Sequence, residues 1–384
     1  MAGRGKLAAL LVTVVLAGCG TAGGSGGVAV TEPAVVRLGA LLPLSGRSSS
    51  SGAAMRDAAQ LAVDEVNAAG GVLGRRVELV TADDACEPGT AVTAAQQIIA
   101  RGIVVSVGGY CSSAVVPTLR IFRDAGIPMV IPQANSTELI EPGYDSVFLI
   151  CGTVGAEAGF AVDRIRRLGG KRLAVVHDGT SFPLTLADAT VAEATRSGAV
   201  TITGEVRLSP GAPHFRPIAE EVIRGEPDTV YFTGYYAEAH QLIRDLRGRA
   251  FRGRIVVGDG ATDGPLLNDL TAAESSGVYG TAMLFPELMP DLGDWPARFT
   301  AVYGSPPGSS TVEAYDAVMV AVDAIRRAND DSPSAIRAEL TTTDLTGVSG
   351  RIAFRPDGTR VDPTFLLLRA EGQTFVRDEL TQDR

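Results

Sequence analysis

Ile103-Val104-Val105-Ser106-Val107-Gly108-Gly109-Tyr110-Cys111-Ser112-Ser113 decides the fold of this chain. The run Ile103–Val107 is apolar and β-branched, which suits a buried strand. Two glycines end it, and two serines follow where a helix reaching Asp124 begins. A strand that feeds through glycines into a helix N-terminus is the repeating unit of a parallel sheet covered by helices.

The same unit recurs on both sides. Upstream, Val35–Leu42 and Val77–Thr81 read as strands, followed by helices at Ala53–Ala69 and from Pro88 to Ala100. Downstream, Ile127–Ile131 is a strand that ends in a polar loop. The pattern then restarts, with strands Leu173–Val176, Val200–Glu205, Thr229–Phe232 and Ile255–Val257 between helices Gly155–Leu168, Leu184–Ser197, Phe215–Arg224 and Ala237–Arg249. Right-handed crossovers then give an α/β fold of two Rossmann-like, doubly wound lobes. The tail carries helices Trp295–Tyr303, Thr311–Arg327 and Ser334–Thr341, then strands Arg351–Phe354 and Thr364–Arg369 with Pro356-Asp357-Gly358 as the turn between them. A tail returning after the second lobe implies that the chain crosses between lobes more than once.

The first residues read differently. Arg4 and Lys6, the apolar run Leu7–Leu16 and the small residues before Cys19 have the build of an export signal. Leu16-Ala17-Gly18-Cys19 resembles a bacterial lipobox, which implies lipidation at Cys19 after removal of residues 1–18. Gly20–Thr31 is rich in Gly, Ser, Thr and Ala and uncharged, which is the composition of a flexible tether. The chain is thereby expected outside the cytoplasm, lipid-anchored to the outer face of the cytoplasmic membrane.

Setting aside Arg4 and Lys6 leaves 32 basic against 44 acidic residues, a net charge of about −12. That acidity argues against nucleic acid as a partner. Cys86, Cys111 and Cys151 remain after Cys19, and three pairings are open. Cys86–Cys111 is favoured because each follows a strand in consecutive β–α units, which leaves Cys151 as a small buried residue.

Catalytic signatures are missing: there is no P-loop, GxGxxG, GxSxG, CxxC or HExxH, and the three histidines have no metal-ligand spacing. The sequence calls for no cofactor, no metal and no enzyme. Binding signals lie at strand ends, where ligands sit in open α/β sheets. Ser112 and Ser113 offer hydroxyls and N–H groups at a helix N-terminus, which suits a carboxylate and equally suits a plain helix cap. Pro132–Thr137 is a second polar cluster. Val256-Val257-Gly258-Asp259-Gly260 places a carboxylate between glycines, and Tyr235 and Tyr236 follow another strand as an amphipathic wall.

Taken together, Leu42–Gly46, Asn67–Gly71, Asp83–Cys86, Cys111–Ser113, Pro132–Leu139 and Tyr231–Tyr236 resemble the branched-chain amino acid class of type I periplasmic binding proteins of ABC importers. The resemblance implies two lobes joined by three crossover segments, residues 35–152 with 282–350 and residues 153–281 with 351–384. It implies a Cys86–Cys111 disulfide and a ligand trapped as the lobes close. It places Ser112 on the ligand carboxylate, Gln133 and Asn135 on a loop serving carboxylate and ammonium, and Asp259 on the ammonium. Tyr235 and Phe182 become second-lobe aromatic walls, and Ser51 leaves one wall small and polar. The expected partners are a small zwitterion such as an amino acid, an ABC permease and the membrane through the lipid anchor, with the protein itself a monomer. Two rivals stand beside this reading: a sensor on the same fold, and an exported hydrolase using Ser112 or Ser181 with His177 as base.

Overall fold

The computed structural model describes residues 35–262, 264–289 and 292–381, so Cys19, the export segment and the tether lie outside the described residues. The first sheet is built from β1 (Val36–Leu42), β2 (Val77–Asp83), β3 (Val105–Ser106), β4 (Met129–Ile131) and β5 (Val147–Leu149), all parallel, in the order β2-β1-β3-β4-β5. The second lobe contributes β6 (Arg172–His177), β7 (Thr201–Arg207), β8 (Thr229–Phe232), β9 (Arg254–Val257) and β10 (Val278–Ala282). A hairpin of β11 (Asp344–Gly347) and β12 (Gly350–Ala353) stands apart, and β13 (Leu366–Glu371) and β14 (Thr374–Arg377) complete the second sheet in the order β14-β13-β10-β9-β8-β6-β7.

Each sheet is apolar on both faces because helices cover both. β1 and β6 are almost wholly buried, and helix Ser49–Ala68 packs Met55, Ala58, Ala62 and Val66 into the same core as helix Thr311–Ala328. Burial of such strand and helix faces, at roughly 25 cal/mol per Å² of apolar surface, is the main force holding each lobe together.

Three differences from the sequence reading have clear causes. The helix expected over Ser112–Asp124 is broken into Ser112–Val115, a 3-10 turn at Val116–Thr118 and Leu119–Asp124, because Pro117 lacks an N–H and crowds the preceding turn. Strands β5, β10, β11 and β14 carry no clear sequence signal, being three to five residues long. The strand at Arg351–Phe354 does not form a hairpin with the one near Leu366. Instead β12 pairs antiparallel with β11, and Pro356-Asp357-Gly358 closes a loop bridged at Phe354 and Arg360. The true hairpin turn joins β13 to β14 at Glu371 and Thr374. Residues 351–361 therefore stay with the first lobe, where Leu149 N–H donates to Gly358 O, and Ala282 pairs with Leu366 in the second.

Three chain passages link the lobes: after Leu149, after Ala282, and between Phe354 and Leu366. Arg360, on the third passage, ties it to the first and to the β11–β12 hairpin. Its Nη1 donates to Ile150 O at 3.1 Å and Ser349 Oγ at 3.0 Å, and its Nη2 to Ser349 O at 2.8 Å and Arg351 O at 2.9 Å. Gly152 N–H reaches Met283 Sδ at 3.1 Å, joining the first two passages.

Cys86 and Cys111 form a disulfide with Cα atoms 5.3 Å apart, joining the loop after β2 to the loop after β3, and Cys151 is free and buried. No helix among the described residues is long and apolar enough to cross a membrane. Because the bond closes a loop of sequence separation 25, replacing both cysteines by alanine is expected to lower the unfolding free energy by about 3–4 kcal/mol. Chemical denaturation of the double variant checks this; an unshifted midpoint would show that packing alone holds the two loops together.

Candidate functional site

The carboxyl ends of both sheets point into one cleft, the position that open α/β sheets reserve for ligands. At its floor is a small chamber of about 10 Å³, room for about one water, lined by Tyr110, Gln133 and Asn135 from the first lobe and by Phe182, Tyr235, Asp259 and Gly260 from the second. The aromatic rings form one wall: the Tyr235 ring lies 6.2 Å from that of Tyr110 and 5.9 Å from that of Phe182. A second space of about 350 Å³ opens above it, between Arg47, Ser48, Cys86 and Ser113 on one side and Asp178, Thr180, Tyr236 and Glu238 on the other. Tyr235 lines both spaces.

The lobes are closed on each other. Gln133 Nε2 donates to Asp259 Oδ2 at 3.1 Å across the floor of the cleft. Gln133 Oε1 is buried without a hydrogen-bond partner. At the rim Arg47 forms an ion pair with Glu238, and the Tyr236 hydroxyl donates to Arg47 O. On the far side the Ser181 hydroxyl, at the start of helix Ser181–Ser197, meets Ser136 Oγ at 3.0 Å and the Glu138 carboxylate.

Local geometry explains each placement. Gly258 and Gly260 let the chain turn off β9 beneath the Phe182 and Tyr235 rings; a Cβ at Gly260 would lie 2.9 Å from Phe182 Cε1. Asp259 Oδ1 accepts from Gly260 N–H at 2.8 Å, and Asp259 N–H donates to Glu157 Oε1 at 3.0 Å. Gly108 and Gly109, which follow β3, serve the chain itself. A Cβ at Gly108 would come within 2.5 Å of the β1 backbone, and Gly109, at φ +125°, offers its carbonyl to Gln133 and Ala134 N–H.

Five of the expected site residues meet at the chamber: Gln133, Asn135, Phe182, Tyr235 and Asp259. Ser112 and Ser51 are not among its lining residues. Ser112 is fully buried, and its Oγ accepts from Asn135 N–H at 3.3 Å and Ser136 N–H at 3.2 Å, so the hydroxyl holds the neighbouring loop in place. Ser51 is buried in the first turns of helix Ser49–Ala68, and its neighbours Arg47 and Ser48 take the wall instead. Asn135 Nδ2 donates to Gly152 O at 3.1 Å, anchoring its loop to the hinge. Tyr110, Arg47, Glu238 and Glu157 carry no local signal that marks them for the site. Glu157 reads as an ordinary acidic residue in a helix first turn, and only its burial under β8, β9 and β10 sets it apart.

The cleft is acidic and several of its groups are held neutral. Burial pushes the Tyr235 phenol well above its ordinary value, and the charges of Asp178, Asp259, Asp84 and Glu238 add to it. Burial also raises Glu157, Tyr231 and the Cys151 thiol. Asp84 is raised to about 6 by burial and by its neighbour Asp83, against a stabilising bond from Cys86 N–H. Among the described residues no cluster of three or more His, Cys, Asp or Glu side chains is arranged to hold a metal.

Two α/β lobes, three crossings and a ligand-sized cleft at the strand ends define a two-lobed solute-binding architecture. Residues 35–374 match the family model described as periplasmic binding protein, and the chain belongs to that family. An amino acid binding protein from Pseudomonas aeruginosa is 30% identical over 330 residues, 85% of this chain and 87% of the relative. A Leu/Ile/Val-binding protein homolog from Brucella melitensis is 30% identical over 358 residues, 91% and 95% of the two chains. Among solved structures, a leucine binding protein from Thermotoga maritima superposes with a TM-score of 0.83 at 26% identity, over 89% of this chain and 97% of that one. The family is one of extracytoplasmic binding proteins and not of enzymes. The hydrolase rival fails with it: Ser112 is engaged by backbone, and His177 Nε2 faces Glu205 at 3.6 Å.

Asp84 supplies a test of the cleft electrostatics. Its folded value lies above the ordinary carboxylate value, so folding favours the protonated form and ionisation costs stability as pH rises from 4 through 6. Asp84→Asn keeps the acceptor for Cys86 N–H and removes the charge. The variant is expected to be more stable than the parent by about 2–3 kcal/mol at pH 7.5 and little different at pH 4, as measured by denaturant titration at both pH values.

Proposed function

We propose that this protein captures a small zwitterionic solute, an amino acid, between its lobes and delivers it to an ABC permease from a lipid anchor at Cys19. One observation carries the reading: Gln133 of the first lobe and Asp259 of the second meet inside an aromatic-walled chamber between the lobes. A carboxylate in such a place demands a positive or hydrogen-bonding partner. An ammonium provides both, and the Tyr110, Phe182 and Tyr235 rings provide the apolar wall beside it. The chamber is smaller than the usual ligand pocket of about 300–1,000 Å³. An amino acid therefore displaces Gln133 Nε2 from Asp259 and extends past Tyr235 into the outer space. Ligand contacts to both lobes then favour the closed form, since only differential affinity shifts such an equilibrium. The names of the relatives, amino acid binding and Leu/Ile/Val-binding, support the same class of solute.

A thermal-shift screen of the twenty amino acids and a set of small carboxylic acids identifies the ligand, because a binder raises the melting point by mass action. An amino acid is expected to give the largest shift; a screen answered only by acids lacking an amino group would overturn the assignment. For the amino acid found, calorimetry of Asp259→Ala is expected to show affinity more than tenfold weaker, because a buried ammonium loses its charged partner. Unchanged affinity would remove Asp259 from the site. Uptake of the same labelled amino acid separates transport from sensing: a deletion strain is expected to lose it, and intact uptake would favour a sensor.

A further inference from the structure

Beneath Asp259 lies a second carboxyl group that the binding scheme above does not use. Glu157, in the first turn of helix Val154–Arg167, is fully buried. Its Oε1 accepts from Thr281 Oγ1 at 2.7 Å, from Asp259 N–H at 3.0 Å and from the Tyr231 hydroxyl at 3.3 Å. These three donors are uncharged and come from β10, the turn after β9, and β8. Oε2 is buried with no hydrogen-bond partner. The Glu157 and Asp259 side chains also interact with each other, and Asp259 is itself 5% exposed.

Two buried carboxyl groups this close, one of them accepting from the other residue's N–H at 3.0 Å, do not both ionise readily, because like charges repel strongly where water is excluded. We propose that Glu157 is a positioning residue of the ligand site: it pairs with Asp259, the two share one proton, and a ligand ammonium bound at Asp259 drives that proton out. The pair then presents one negative charge to the empty cleft and up to two to a bound cation. This rests on the reading of Asp259 as the ammonium partner.

The surrounding groups leave the pair as the seat of the effect. Tyr231 from β8, Tyr235 from the turn after β8 and Cys151 from the first passage all face it, and burial holds each of them in its neutral form. Gln133 faces it from the first lobe and does not titrate. Farther out lie Glu313, at about 8, and Arg360 beside Cys151, and Asp178, Asp84 and Glu238 around Tyr235. A cation favours the deprotonated pair, so binding releases protons and affinity rises with pH wherever that release occurs. The slope approaches tenfold per pH unit at full release of one proton and is flat where the pair keeps its proton.

Two measurements test this, one with ligand and one without. Calorimetry with the amino acid of the thermal-shift screen, in buffers of different ionisation enthalpy between pH 5 and 9, is expected to show proton release. Glu157→Gln, which keeps the acceptor oxygen, is expected to bind within about threefold of the parent at pH 5.5 and to lose the release and the pH slope. Release that persists unchanged in the variant would assign it to another group such as Asp84 and overturn the proposal, as would binding with no release at any pH. The infrared spectrum of the empty protein at pH 7 needs no ligand: the parent is expected to show one protonated-carboxyl band more than Glu157→Gln. A difference confined to carboxylate bands would show Glu157 ionised and end the proposal. If the variant does not fold, the parent labelled with ¹³C at its aspartate and glutamate carboxyls decides: one of Glu157 and Asp259 is expected to stay protonated at pH 6.5, and both ionised refutes the pair. A screen in which no amino acid binds defeats the proposed function and leaves the infrared result to judge the shared proton alone.

Discussion

A single carboxylate at the end of β9 sets the terms for the rest of the molecule. Asp259 is buried between two lobes, where a charge left alone is costly, and the structure answers from both sides. Gln133 reaches it from the first lobe, while Gly260 N–H accommodates one oxygen and Glu157 holds the backbone of its turn. The turn can sit there because β8, β9 and β10 run parallel and end together, so Tyr231, Asp259 and Thr281 converge on one buried glutamate.

Closure follows from the same geometry. The lobes touch through a few polar contacts at floor and rim, Gln133 with Asp259, Arg47 with Glu238 and Ser181 with Glu138, rather than through a continuous apolar interface. The rim pair, with Arg47 largely exposed, contributes little on its own, typically below about 1 kcal/mol. The lobes are therefore held mainly by three covalent passages, and the closed state is one that a ligand can tip. Arg360, on the third passage, donates to a carbonyl of the first and to two carbonyls of the β11–β12 hairpin, and so fixes the start of both passages to the first lobe. Each lobe meanwhile keeps its own apolar core, which lets it move as a body.

Much of the floor of the cleft was legible in the chain. Gln133, Asn135, Tyr235 and Asp259 stand just past apolar strands, and a parallel sheet brings such ends together wherever they occur. Phe182 was reached only through family resemblance. Ser112 lies outside the chamber lining for an instructive reason: a serine opening a helix offers the same hydroxyl to a ligand or to a neighbouring loop, and here it accepts from the Asn135 and Ser136 N–H groups. Arg47 and Glu238 were invisible because they lie 191 residues apart and meet only when the lobes close.

What the sequence determined by itself is the alternation of apolar strands with amphipathic helices, hence two parallel sheets, and the favoured pairing of Cys86 with Cys111. These features depend on neighbours in the chain or on consecutive units, where periodicity and spacing carry the information. The tertiary structure alone decided that β12 returns to the first lobe, that Ser112 serves the chain, and that Glu157 lies against Asp259. Each of those outcomes depends on which distant groups share a buried volume, and a hydrogen bond across 102 residues of sequence leaves no mark on the residues beside either partner.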